Sequence, residues 1–183
     1  MNIQRSLLLA AVLALGVGPV LAQDAKVQER RQEIDSNAQS TLDELMKAQA
    51  SVGELYRKAA GYAVFTVTKG GFIVSGGGGN GVAVDKSSGA RTYMRMGTGG
   101  IGLGIGGQRY SLVMLFETAD RLEKFVAGGW DSSATAEAAA GQEGVAFRSS
   151  FIDGVAVYQV TDKGLMGWAD VTGTKFWVNE ELQ

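Results

Sequence analysis

Two clusters of side chains carry the chemistry this sequence offers. Lys26, Arg30 and Arg31 alternate with Val27 and Ile34 over little more than two turns of a helix. A short basic amphipathic stretch of this kind can lie on anionic headgroups, its cations in the phosphate layer and its apolar residues inserted below. Glu29 and Glu33 dilute the charge, so a solvated helix face is the alternative. Arg91, Tyr93 and Arg95 recur at every second residue. In a strand that spacing puts all three on one face. Two guanidinium groups flanking a phenol ring can then hold a phosphate beside an amphipathic surface. The alternative there is the solvent face of a half-buried sheet.

Other chemistries lack their residues. The 183 residues include no His and no Cys, which removes the imidazole base, the thiolate nucleophile, disulfides and the zinc–thiolate site. Acid–base catalysis would fall to Asp, Glu, Lys or Tyr. The acidic pairs Asp43-Glu44 and Glu180-Glu181 sit where solvated charges are expected, and no spacing resembles a calcium loop. The expectation is a non-enzymatic protein with no metal and no cofactor. Lys and Arg number 17 against 19 Asp and Glu, a net charge of −2, which gives no general attraction for nucleic acid. Any anion binding must therefore be local.

The elements that position these residues follow from periodicity. Met1 to Ala22 reads as a secretory signal peptide: Arg5 gives a basic start, Ser6 to Val17 is a short apolar run, and Val20-Leu21-Ala22 fits a small-residue cleavage site. Cleavage near Ala22 would leave residues 23–183 as one domain. Export without cysteine suggests a bacterial periplasm, or an otherwise exported location. Residues 23–60 read as a helical lead. Val27, Ile34, Leu42, Leu45 and Met46 recur at helical spacing from Asp24 to Ala50. Ser51 and Glu54 have capping-box spacing for a second helix, with Gly61 as a left-handed stop.

Residues 61–183 read as mainly β. Tyr62 to Thr68 is a β-branched and aromatic strand followed by a turn at Lys69-Gly70-Gly71, and Gly76 to Gly79 interrupts the next strand. Lys86-Ser87-Ser88-Gly89 suits a hairpin loop. The unbroken run Leu112-Val113-Met114-Leu115-Phe116 implies a strand covered on both faces. Thr118 is placed to cap a short helix, Ala119 to Ala127. Ala134 to Ala140 is open to helix or strand. Gly97, Gly99 and Gly102 match the dinucleotide-binding pattern, but the glycine-rich residues that follow would not form the helix such a site needs. Fifteen of the 27 glycines fall between Gly70 and Gly107. Ile101, Leu103 and Ile105 alternate with glycine, which predicts buried apolar side chains opposite bare backbone that another layer can approach. The fold class expected is α+β: N-terminal helices, then a large, glycine-rich, strongly curved antiparallel sheet, sandwich- or half-barrel-like, with one further short helix.

Several of these segments together resemble the SYLF domain, also called the Ysc actin-binding domain. Lys58-Ala59-Ala60-Gly61-Tyr62-Ala63-Val64-Phe65 is similar to the family's opening strand motif. Gly76 to Gly81 resembles its glycine-rich loop. Ile101-Gly102-Leu103-Gly104-Ile105-Gly106-Gly107-Gln108 resembles its G-x-x-I-G-G-Q element, and Lys163-Gly164-Leu165-Met166-Gly167 follows in the family's order. The likeness spans most of Leu42 to Gly173. It implies a non-enzymatic module that binds an anionic phospholipid or a related envelope amphiphile. Eukaryotic members bind phosphoinositides and in some cases actin; actin binding is not expected of an exported bacterial chain. An envelope domain that binds a protein partner and no lipid is the alternative.

Overall fold

The computed structural model describes residues 18–71, 74–101, 106–128, 150–161, 164–166 and 174–183. Most of the expected signal peptide lies outside these residues, as do Ala134 to Ala140 and Leu103 to Ile105. The helical lead is α1 (Gly18–Ala48) and α2 (Ala50–Lys58). Four long strands follow: β1 (Gly61–Gly71), β2 (Val74–Asp85), β3 (Arg91–Ile101) and β4 (Gly106–Phe116). After α3 (Ala119–Gly128) come β5 (Val155–Thr161), β6 (Gly164–Met166) and β7 (Thr174–Val178), then a 3-10 turn, Glu180–Leu182. The strands form one seven-stranded sheet in the order β6-β5-β4-β1-β2-β3-β7, antiparallel throughout. The α+β class read from periodicity is the class observed.

Helices cover both faces of the sheet. On one face Ile34, Leu42 and Leu45 of α1 and Val52 and Leu55 of α2 pack on Val64, Val82, Val113, Leu115 and Tyr158. On the other face Leu122 and Phe125 of α3 pack on Phe65, Leu112, Met114 and Phe116. The apolar run of β4 therefore divides between two cores, with alternate residues entering each, as its lack of polar positions required.

Curvature originates in β2. Gly77, Gly79 and Gly81 share the face of Ala83, the α3 side, by strand alternation. A side chain at Gly79 would run into the Thr66 carbonyl, and one at Gly81 into the Val64 carbonyl and the Phe65 ring. The Phe65 ring thus fills the space that a side chain on its register partner, Gly81, would need. Phe65 also meets Phe176 with ring centroids 5.0 Å apart. Three strand spacings, about 14 Å in a flat sheet, separate their backbones. The sheet curls inward on this side, and Phe125 closes the cluster at 6.3 Å from Phe65 and 5.3 Å from Phe176.

The β2–β3 hairpin ties the sheet to the helical layer. Asp85 Oδ1 accepts hydrogen bonds from Ser87 N at 2.8 Å, Ser87 Oγ at 2.6 Å and Ser88 N at 2.9 Å, and Gly89 closes the turn with φ +73°. Lys86 Nζ reaches back to the carbonyls of Tyr56 at 2.5 Å and Ala59 at 2.9 Å and lies 4.6 Å from the centre of the Tyr56 ring. A cation on the last carbonyls of α2 satisfies groups the helix leaves unpaired.

Several local expectations need correction. Lys69-Gly70-Gly71 is not a turn, and Gly76 to Gly79 does not interrupt a strand. β1 and β2 pair continuously from Gly61↔Asp85 to Gly71↔Ser75. Ladder hydrogen bonds use only backbone, so neighbouring strands hold glycine in line despite its poor propensity. Ser51 does not start α2. Gln49 occupies the N-cap without a side-chain cap and instead donates to Ser51 Oγ at 3.1 Å, because α1 ends only two residues earlier. Gly61 is no left-handed stop. It opens β1, where a Cβ would lie 2.5 Å from Leu122 Cδ2 and 2.7 Å from the Val84 carbonyl, so close packing explains it.

Two measurements test this account. Gly81→Ala should destabilise the protein by more than about 2 kcal/mol, since neither a carbonyl in the ladder nor a packed ring can give way. Gly76→Ala, with nothing within 4 Å of the added carbon, should be neutral or stabilising by up to about 1 kcal/mol in chemical denaturation. Hydrogen bonds from the Ser87 hydroxyl and the Ser88 amide to its charged form hold the Asp85 carboxyl below the usual carboxylate range, at about 2. A depressed carboxylate contributes stability above its unfolded value and loses it as pH falls through the folded one. The Asp85 carboxyl resonance should therefore titrate near pH 2, and Asp85→Asn should flatten the pH dependence of stability between about 4 and 2.

Candidate functional site

The two basic clusters meet, because the N-terminal half of α1 lies against β3. Arg31 places its guanidinium 5.5 Å from the centre of the Tyr93 ring and donates from Nε to the Leu182 carbonyl at 3.0 Å. Tyr93 Oη donates to Asp35 Oδ2 at 3.0 Å. Arg91 Nε lies 3.6 Å from Asp35 Oδ1, an atom that is buried and has no hydrogen-bond partner among the described residues. Burial, then the hydrogen bond to Asp35, pushes the Tyr93 phenol above its ordinary value, so it stays a donor. This polar cluster stands beside the apolar contacts and fixes α1 on the sheet.

The cations separate into two groups. Arg31 and Arg91 hold the helix–sheet contact. Lys26 is exposed and has no ion pair among the described residues. Arg30 pairs with Glu33 at 2.7 Å, and Arg95 with Glu181 at 2.6 Å; both pairs are solvent-exposed. Such pairs are worth about 0–1 kcal/mol and open easily to a ligand. The apolar partners expected for membrane insertion are not free. Ile34 is 7% exposed within the helix-side core, and Val27 is half-buried against it. Neither inserts into a bilayer while α1 is docked. The helical spacing read correctly, but the face it defines is spent on the sheet. Arg91, Tyr93 and Arg95 do share a strand face; α1 covers it at Tyr93, and it is open on either side, at Arg91 and at Arg95.

Beyond Arg95 the sheet opens into a groove of about 600 Å³. Strand register builds its floor. Asn80, Arg95 and Trp177 are neighbours in one row across β2, β3 and β7, and Gly78 and Gly97 are neighbours in the next. Bare backbone at Gly78 and Gly97 makes the depression. Trp177 leans across it, with ring atoms 3.2 and 3.4 Å from where a Gly97 side chain would start. Arg30 from α1 and Glu181 from the 3-10 turn complete the rim. At 46% exposure, Trp177 is the exposed large apolar residue among the described positions. Sequence reasoning missed Asn80, Trp177 and Glu181. Trp177 was detectable as an outward position in the alternating strand Thr174–Val178; the others become neighbours only through register. Among the described residues no group of three or more acidic side chains is placed to hold a metal ion.

No family model matches the chain. It is 37% identical over 155 residues to Beta cell expansion factor A of Aeromonas veronii. That alignment takes in 85% of this chain and 59% of the relative, so the chain spans well under two thirds of the relative's length.

The polar cluster under α1 makes a measurable prediction. Tyr93→Phe should cost about 1–3 kcal/mol by leaving Asp35 without its donor. Tyr93→Phe combined with Asp35→Ala should cost less than the two single changes added together, as expected of groups that satisfy each other. Denaturant titration of the four proteins in the cycle measures the coupling.

Proposed function

We propose that this chain is an exported, non-enzymatic lipid-binding module of the SYLF type, which docks on anionic phospholipid or a related envelope amphiphile. The reading rests on the resemblance in the glycine-rich strands and on one observation. Arg30 of α1 and Arg95 of β3, far apart in sequence and one from each basic cluster, line the same groove as an exposed tryptophan. Lys26 has no ion pair among the described residues, and Arg30 and Arg95 can leave their solvent-exposed pairs to turn toward phosphates. Trp177 is the residue type favoured where headgroup meets acyl chain. Arg31 and Arg91 hold α1 against β3 at Tyr93 and Asp35. The signal-peptide pattern at Met1 to Ala22 would bring the module to the periplasm or another exported location, in reach of membrane surfaces. The acidic net charge limits the attraction to this face.

Co-sedimentation with phosphatidylglycerol-containing vesicles tests the assignment. Binding should rise with anionic lipid and fall with salt. Each cation near such a surface contributes about 1 kcal/mol. Neutralising Lys26, Arg30 and Arg95 together should therefore weaken binding by about a hundredfold, whereas Arg91→Gln should lower stability more than binding. If the parent protein ignores anionic vesicles, the lipid reading fails, and an envelope domain that contacts a protein partner takes its place.

A further inference from the structure

The groove beside Trp177 has a composition that a phosphate site would not need. Its two arginines are matched by acceptors. The Arg95 guanidinium carries the Glu181 carboxylate at 2.6 Å, and the Arg30 guanidinium on the rim carries Glu33 at 2.7 Å. Asn80, the register neighbour of Arg95, adds an amide with both a donor and an acceptor end. While the pair is closed the Glu181 carboxylate repels an anion, so a phosphate must open it to reach Arg95, whereas an uncharged ligand can use both halves of it as it stands. An acyl chain would take these polar groups out of water and offer no hydrogen bond in return, at the cost of desolvating them. The floor is flat because Gly78 and Gly97 lack side chains, and the indole of Trp177 lies over Gly97 with much of its surface open.

We propose that this groove binds an uncharged saccharide, either a free glycan or the sugar headgroup of a glycolipid. A pyranose ring has an apolar face of C–H groups and a rim of hydroxyls, each both donor and acceptor. The C–H face packs on the Trp177 indole. The hydroxyls donate to the Glu181 carboxylate and accept from Arg95 and Asn80, so that the ion pair serves as one two-sided clamp. Bare glycine lets the ring approach the backbone closely. The volume, about 600 Å³, falls within the usual span of small-ligand sites, about 300–1,000 Å³. The inference goes beyond lipid docking and stands without it, because it needs the acidic partners that docking on anionic lipid does not.

The test uses the intact protein with a panel of neutral and N-acetylated trisaccharides, read by calorimetry and by tryptophan fluorescence. Phosphatidylcholine vesicles carrying a diglucosyl diacylglycerol form the second arm. At least one probe should bind. Trp177→Ala and Glu181→Gln should each weaken that binding tenfold or more, with circular dichroism showing both variants folded. Binding of the free trisaccharide identifies a glycan site; binding only of glycolipid vesicles identifies a headgroup site. Glu181→Gln also separates the two readings, since removing the carboxylate should weaken sugar binding yet strengthen binding to phosphatidylglycerol vesicles. If neither trisaccharide nor glycolipid binds, or if binding survives Trp177→Ala unchanged, the saccharide site is refuted, and the result with anionic vesicles still decides lipid docking by itself.

Discussion

The architecture depends on a stretch of one strand, Gly77 to Gly81 of β2, that carries no side chain on one of its faces. Along Gly77, Gly79 and Gly81 the backbone of β2 lies so close under the carbonyls of β1 that a methyl group would not fit. That contact lets the sheet curl. Curling brings β7 round until Phe176 touches Phe65 and Phe125, which joins the edge of the sheet to its centre through one aromatic core. The alternate glycine of the same strand, Gly78, faces the other way and pairs with Gly97 in the floor of the open groove. One glycine-rich segment therefore builds a packed concave core on one face and a depression on the other.

The helical layer is held by contacts of a different kind. Apolar residues of α1 and α2 supply most of the buried surface, but their position is set by polar groups. Lys86 reaches from the β2–β3 hairpin to the last carbonyls of α2. Asp35, Tyr93 and Arg31 fasten α1 to β3. Apolar contact is non-directional, whereas these bonds each require one geometry. They fix where α1 crosses the sheet, and so which cations reach the groove beside Trp177 and which are engaged at the helix–sheet contact.

At the groove the arginines are paired. Each of the two arginines flanking the groove carries its own carboxylate. Such a surface has weak long-range attraction and strong short-range selectivity. It discriminates by what a ligand offers at hydrogen-bonding distance, and the tryptophan adds an area that rewards a flat apolar partner. Anionic lipid and sugar make opposite demands on Glu181, which makes that residue the discriminating one.

Periodicity and side-chain type determined a good deal by themselves. The amphipathic lead, the doubly buried strand Leu112 to Phe116, the hairpin loop at Lys86 to Gly89 and the capping role of Thr118, whose Oγ1 accepts from Arg121 N at 3.4 Å, all follow from local pattern. So does the sharing of one face by Arg91, Tyr93 and Arg95. Each is a statement about residues a few positions apart, where backbone geometry fixes the neighbours. What pattern did not reveal was partnership. Glycine has no side chain to report its surroundings, so continuous strands read as turns and interruptions, and only the ladder with β1 and β3 shows otherwise. Val27 and Ile34 carry the same apolar signal whether they face a membrane or a sheet. The fold decided for the sheet, because that burial is available within the chain itself. The groove is wholly a product of tertiary structure: Arg30, Asn80, Arg95, Trp177 and Glu181 come from five separate segments, and only strand register and the docking of α1 make them neighbours.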